Sequence, residues 1–311
     1  MVLFVAAFVG CSSAKKTAPL PDLDLNNPTR LHEFAARGSE AEVKALLVAG
    51  EKPDQTNSQG VTALMVAARK GQIAVMQQLL AAHANVAAAD EQGSTALHYA
   101  VLGNQTKSAE VLLQNQAPID KKDGFDLTPL MLATRFADVG MVKILIHGKA
   151  SLSVTDQNGW TAMFFAVARG DADIFDVMSD YVEDLSGKDN DGDTLAIVAI
   201  QYKQPNMLKK LIELHAPIEA ANKRGVTPLR LSIENGDAEC VRLLAKVVSI
   251  NDKLPDGRSP LMFAIDLRQK EVAGLLLSLN ADLTAKDTRG RTYVDHLTAL
   301  GLDSDWLVKI R

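Results

Sequence analysis

Apolar and polar positions follow one order along most of this chain. A turn segment rich in Asp, Asn and Gly leads into a short apolar run, and a polar break separates that run from a pair of aliphatic residues. Thr62-Ala63-Leu64-Met65-Val66-Ala67-Ala68, Thr95-Ala96-Leu97-His98-Tyr99-Ala100 and Thr128-Pro129-Leu130-Met131-Leu132-Ala133 open three successive cycles. The aliphatic pairs recur as Leu46-Leu47, Leu79-Leu80, Leu112-Leu113, Leu145-Ile146, Leu211-Ile212 and Leu276-Leu277. Each cycle thus joins a turn to two short apolar segments separated by a polar break. The opening hydroxyl residue stands at Thr29, Thr62, Thr95, Thr128, Thr161, Thr194, Thr227, Ser259 and Thr292, at intervals of 33 six times, then 32, then 33. A phase held over eight intervals marks a repeat architecture.

Each position in the cycle has a physical reason. Five residues before the Thr sit Asp24, Asn57, Asp90, Asp123, Asp156, Asp189, Asn222 and Asp287, which start Asx-type turns. Two residues before it a Gly recurs, as at Gly60, Gly93, Gly159, Gly192, Gly225, Gly257 and Gly290, supplying positive φ. The Thr caps the first helix, and Pro129 and Pro228 occupy the first helical position, where a missing N–H costs nothing. No single cycle can bury its apolar face alone, so stability must come from stacking neighbours.

These residues resemble ankyrin repeats, whose Asp-x-x-Gly-x-Thr-Pro-Leu-His-x-Ala segment leads into two helices. The resemblance covers about residues 24–311 and implies an all-α fold with short β-hairpin fingers. In that reading an ankyrin solenoid of eight full repeats ends in a C-terminal capping partial repeat over 292–311. The cap is marked by Tyr293-Val294-Asp295 in place of Pro-Leu-His and by Asp303, Asp305, Lys309 and Arg311. Repeat seven is one residue short after Leu244, with Val247-Val248 where a Gly-centred loop is expected. His32 and His98 fall on the motif His, a structural position that bonds local backbone and hydroxyl groups. His83 and His215 fall on the loop position after the second helix, often left-handed and usually Gly.

The N-terminus has a different pattern. Val2 to Gly10 is unbroken apolar or small sequence, too short to span a membrane and suited to a signal-peptide core. Phe8-Val9-Gly10-Cys11 resembles a bacterial lipobox, which implies cleavage before Cys11 and lipidation of that residue. Residues 1–10 are then a signal peptide and 11–23 a lipid-anchored tether. The resemblance places the chain in the periplasm, with Ser12 favouring the outer membrane. No Lys or Arg precedes the apolar run, and the competing reading is an apolar N-terminus on a cytosolic protein.

Composition narrows the chemistry. The 311 residues carry 33 Lys and Arg against 38 Asp and Glu, a net charge of −5, so no overall basic footprint for nucleic acid is present. Two cysteines, Cys11 and Cys240, cannot build a disulfide framework or a Cys-rich zinc site. Cys240 falls on a paired apolar position of repeat seven and is expected to be a packed thiol. Asp189-Asn190-Asp191-Gly192-Asp193 looks like a calcium loop, but an EF-hand needs Gly sixth and Glu twelfth, where Thr194 and Ile200 stand. No phosphate loop or nucleophile elbow occurs. The expectation is a non-enzyme with no cofactor and no metal.

Ankyrin families bind proteins on the concave face, at positions four, three and one residues before the Thr and seven and eight after it. In this register Phe125, Leu127, Arg135, Phe136, Trp160, Arg169, Asp193 and Tyr202 form the expected partner-binding set. Repeat seven offers Lys223, Arg224, Val226, Glu234 and Asn235 at the same positions. Trp, Tyr and Arg dominate interface hot spots. Repeat four also replaces the turn Gly with Asp126 while flanking it with Phe125 and Leu127. Phe164 and Phe165 are expected to be core. The partner expected is another protein, a periplasmic or cell-envelope enzyme held by a monomeric, lipid-anchored module, whether inhibited or protected. The alternatives are an envelope scaffold or chaperone, and a secreted effector that binds a host protein.

Overall fold

The structure is a computed structural model that describes residues 29–303 and 305–308. The segments read as signal peptide and tether, with Cys11, lie outside the described residues, as does most of the tail with Lys309 and Arg311. Two compact units divide the chain, Met1–Val154 and Thr155–Arg311. In the first, helices come in pairs: α1 (Arg30–Arg37) with α2 (Glu40–Val48), α3 (Ala63–Lys70) with α4 (Ile73–Ala81), α5 (Ala96–Leu102) with α6 (Thr106–Gln114), and α7 (Pro129–Phe136) with α8 (Val139–His147). The second continues with α9 (Ala162–Arg169) and α10 (Ala172–Ser179), α11 (Leu195–Gln201) and α12 (Pro205–Glu213), and α13 (Pro228–Glu234) and α14 (Ala238–Leu244). It ends with α15 (Pro260–Asp266), α16 (Lys270–Ser278), α17 (Tyr293–Ala299) and the four-residue α18 (Asp305–Val308).

Stacking follows the sequence period. In the first unit α1, α3, α5 and α7 form one layer and α2, α4, α6 and α8 the other, each helix packing on the next of its own layer. In the second unit α9, α11, α13, α15 and α17 stack in the same way. The first residue of five aliphatic pairs lies fully inside, namely Leu79, Leu112, Leu145, Leu211 and Leu276, while Leu46 of the first cycle and Leu80, Leu113, Ile212 and Leu277 are half-buried. Burying one such Leu side chain contributes about 1.5–3 kcal/mol. No helix among the described residues is long and apolar enough to cross a membrane.

Helix starts follow the expected chemistry in most cycles. The hydroxyls of Thr128, Thr227 and Ser259 accept from the backbone N–H of Met131, Arg230 and Met262 at 3.2–3.3 Å. Thr161 makes no such bond. Left-handed backbone at the end of the second helix is carried by His83 (φ 64°), Gln116 (φ 61°), Lys149 (φ 73°), His215 (φ 55°) and Asn280 (φ 64°). Repeat seven, one residue short, lacks this feature: Val247 and Val248 both donate to the Leu244 carbonyl at 2.9 Å, and no positive φ occurs there.

The expected β-hairpin fingers are present only as turns. Among the described residues they contain three isolated bridges, Thr56 with Thr62, Ala89 with Thr95 and Lys188 with Thr194, and no strand.

Candidate protein-binding face

Each finger is built around its Asp or Asn. Asp123 Oδ1 accepts from the N–H groups of Phe125 and Leu127, both at 2.9 Å, and Asp189 Oδ1 does the same for Asp191 at 2.9 Å and Asp193 at 2.8 Å. Successive fingers are tied by backbone bonds. Glu91 N–H donates to Gln59 at 3.0 Å and Gly124 to Gln92 at 2.6 Å in the first unit; Asn190 donates to Asn158 at 2.9 Å in the second. Side chains at the finger tips are therefore displayed from a fixed backbone.

In the first unit this scaffold exposes Phe125, 57% accessible, and Phe136, 36% accessible. The Arg135 guanidinium lies 4.8 Å from the centre of the Phe136 ring, within cation–π range. Asp126 adopts φ 60°, the conformation Gly supplies in the other fingers, so the turn survives the substitution. Leu127 is a correction to the expected face: it is 8% exposed and belongs to the core.

The second unit presents a ring cluster instead. Trp160 stacks on Phe164 at 5.9 Å and meets Phe165 and Tyr202 edge-on at 5.2 and 5.8 Å. Its indole N–H donates to Asp189 Oδ2 at 3.0 Å. Burial raises the Asp189 carboxyl above the usual range, against the lowering effect of its hydrogen bonds. Trp160 and Tyr202 remain half-exposed, whereas Phe164 and Phe165 are core. Arg169 pairs with Asp171 at 3.2 Å. Asp193 is the second correction: it is 5% exposed, and its carboxylate accepts from Asn222 Nδ2 at 2.6 Å and Gln201 Nε2 at 2.7 Å.

Leu127 and Asp193 both stand one residue before the Thr, as does the half-exposed Trp160, so the neighbours of each side chain and not its register position decide exposure there. Val61, at the same place, is also buried. The carbonyl there is occupied too, since His32 Nε2 lies 2.7 Å from Val61 O and His98 Nε2 lies 3.3 Å from Leu127 O. Those histidines sit where the motif put them. His98 Nδ1 accepts from Thr95 N–H at 3.1 Å, so Nε2 carries the proton. Burial lowers the pKa of both rings. Cys240 is fully buried, and burial raises its thiol, which suits packing rather than nucleophilic chemistry.

Two features were not picked out from sequence. Near the C-terminus Arg258 bridges Asp256 at 2.7 Å and Asp266 at 2.6 Å, Asp266 meets His296 Nδ1 at 2.7 Å, and Arg291 pairs with Asp287 at 2.8 Å. The available signal was an Arg directly before both Ser259 and Thr292. The other is a cavity beside α11 and α13 that combines Gln201, Arg224 and Glu234 of the predicted face with Arg230, which no binding-face rule selects.

A family model described as ankyrin repeats (3 copies) matches residues 31–123, 112–189, 130–221 and 196–287 in overlapping placements. No curated protein matches the chain. The matched stretches together span the paired helices from α1 to α16, and the helical architecture fits an ankyrin solenoid. The chain belongs to the ankyrin-repeat family.

Proposed function

We propose that this protein is a non-enzymatic binding module that holds another protein through its finger tips and the exposed ends of the first-layer helices. The observation that carries this reading is Phe125: a large apolar ring, 57% accessible, held on a finger whose backbone is fixed by Asp123. A rigid scaffold that keeps such a ring in water gains nothing for its own stability. Phe136 with Arg135, and separately the Trp160–Tyr202 pair, add residue types that anchor interfaces. The eight helix pairs correspond in this reading to eight repeats, and residues 292–311 to the cap. The lipobox-like Phe8-Val9-Gly10-Cys11 supports lipid anchoring in the periplasm, and thus a periplasmic or cell-envelope enzyme as partner, inhibited or protected by being covered.

The test is a quantitative pull-down from envelope extract with protein starting at Ser12, compared with a Phe125→Ala/Trp160→Ala variant. Loss of a hot-spot aromatic costs about 2 kcal/mol or more, roughly a thirtyfold loss of affinity. Capture of one partner by the parent and its loss by the variant, with an unchanged melting temperature, is the expected result. Equal capture by both would reject these residues as the anchor. Cys11→Ser should move the full chain from the membrane to the soluble fraction, and a chain already soluble before the change would reject the anchor.

A further inference from the structure

The position that ends the second helix of each cycle changes character between the two units. In the first unit it holds Ala49, Ala82, Asn115 and Gly148. In the second it holds Tyr181, Leu214 and Val247, which are 53%, 48% and 47% accessible. These three stand 33 residues apart in successive cycles. Lys210 of α12 pairs with Asp176 of α10 at 2.6 Å, and α12 packs on α14, so the three helix ends lie side by side. Packed helices are about 8–10 Å apart, which makes the row about 20 Å long. Val182 and Val248, both half-buried, follow its two outer members. Large apolar side chains repeated in water at one position add little to the stability of their own chain.

Charge varies along the same row. Residues 172–188 carry five carboxylates and one lysine, the equivalent 205–221 carry two carboxylates and two lysines, and 238–253 carry two carboxylates and three basic residues. The row is therefore acidic at Tyr181, balanced at Leu214 and basic at Val247. Asp180 and Glu183 at the first end, and Arg242 and Lys246 at the last, are exposed, and none of the four forms an ion pair among the described residues. A row with an apolar, uncharged centre and opposite charges at its ends is complementary to itself when turned end for end.

We propose that this row pairs with the same row of a second copy of the chain. A two-fold axis at Leu214 sets Leu214 against its own counterpart and Tyr181 of each copy against Val247 of the other. The acidic end around Asp180 then meets the basic end around Lys246 twice, once on each side of the axis. This pairing replaces the monomer expected from sequence. It uses the ends of the second helices rather than the finger tips, and so it goes beyond the protein-binding reading and does not depend on it. A pair of copies presents two binding faces to a partner.

The test is sedimentation equilibrium of the full chain from about 1 to 300 µM. A contact this short predicts a reversible dimer with a Kd of about 10–100 µM, weakened about threefold or more when salt rises from about 0.05 to 0.5 M. Leu214→Glu, which brings like charges together on the axis, should leave monomer alone; an unchanged melting temperature would confirm that the variant folds. Lys246→Glu should weaken the dimer by about tenfold, and Asp180→Lys added to it should restore the parent value. The Phe125→Ala/Trp160→Ala variant should dimerise as the parent does, so failure of the pairing and failure of the binding reading can be told apart. A chain that stays monomeric up to about 300 µM would overturn the proposal and leave the row to a partner of another kind. A dimer that survives Leu214→Glu, or a Lys246→Glu defect that Asp180→Lys does not repair, would overturn it equally.

Discussion

The imidazole of His98 is a buried neutral group whose environment acts against charge. Burial lowers its pKa from 6.5, more than Asp123, the Leu127 carbonyl and Asp90 raise it. The folded protein therefore resists a proton that the unfolded chain accepts near pH 6.5. The stability this ring contributes is complete above that value and falls as pH drops through the lower folded pKa. Melting temperature should decline between about pH 7 and pH 5, and His98→Gln should lower it at pH 7 while flattening that decline. Asp287 works in a more acidic window. Burial raises its carboxyl, but the Arg291 backbone N–H, the Arg291 guanidinium and the Arg289 N–H outweigh this and hold it at about 2, below the ordinary 3.8. Its contribution is present above 3.8 and is lost as pH falls through about 2. Asp287→Asn keeps the turn, since Asn57 and Asn222 fill the same place in other fingers. It should remove the part of the acid transition that belongs to Asp287, measured by circular dichroism across that window. Both residues were visible in the motif; the sign of each shift was not, because it depends on groups folded around them.

At the level of elements, the caps separate positions that look identical in sequence. Thr128 accepts from Met131 N–H at 3.3 Å, whereas Thr161 makes no cap bond. Thr128→Ala should cost about 1 kcal/mol and Thr161→Ala only a few tenths, as measured by chemical denaturation. The fingers show the same division. Gly60 has φ 76°, and a Cβ there would approach Glu91 N to 3.0 Å, so the turn residue is demanded both by its own backbone and by the next finger. Asp126 meets the first demand with φ 60°. The sequence pattern located turns, helices and their order to within a few residues. The β-hairpin fingers, which only the resemblance implied, are present among the described residues as turns with three isolated bridges.

Across the molecule, stacking makes each cycle depend on its neighbours within a unit. Leu211 of α12 is fully buried in the second unit, where α12 packs on α11 and α14. Leu211→Ala should destabilise by about 2–5 kcal/mol. Amide exchange should quicken most in α11 to α14 and progressively less toward α16 and α17, as nearest-neighbour coupling requires. Uniform quickening over the unit would instead indicate a single cooperative block. Several features were settled by the sequence alone. The 33-residue period, the hydroxyl caps, the Asx turns and the apolar pairs are local patterns, and local patterns suffice to specify a backbone that repeats. Exposure was not settled by it. Phe125 stays in solvent while Leu127, two residues on, is core, and Asp193 disappears behind Asn222 and Gln201. The unbonded Nε–H of Arg230 and the chain from Asp256 to His296 likewise exist only once cycles are stacked. Whether a side chain meets water is decided by residues about thirty positions away, and only the tertiary structure brings those together.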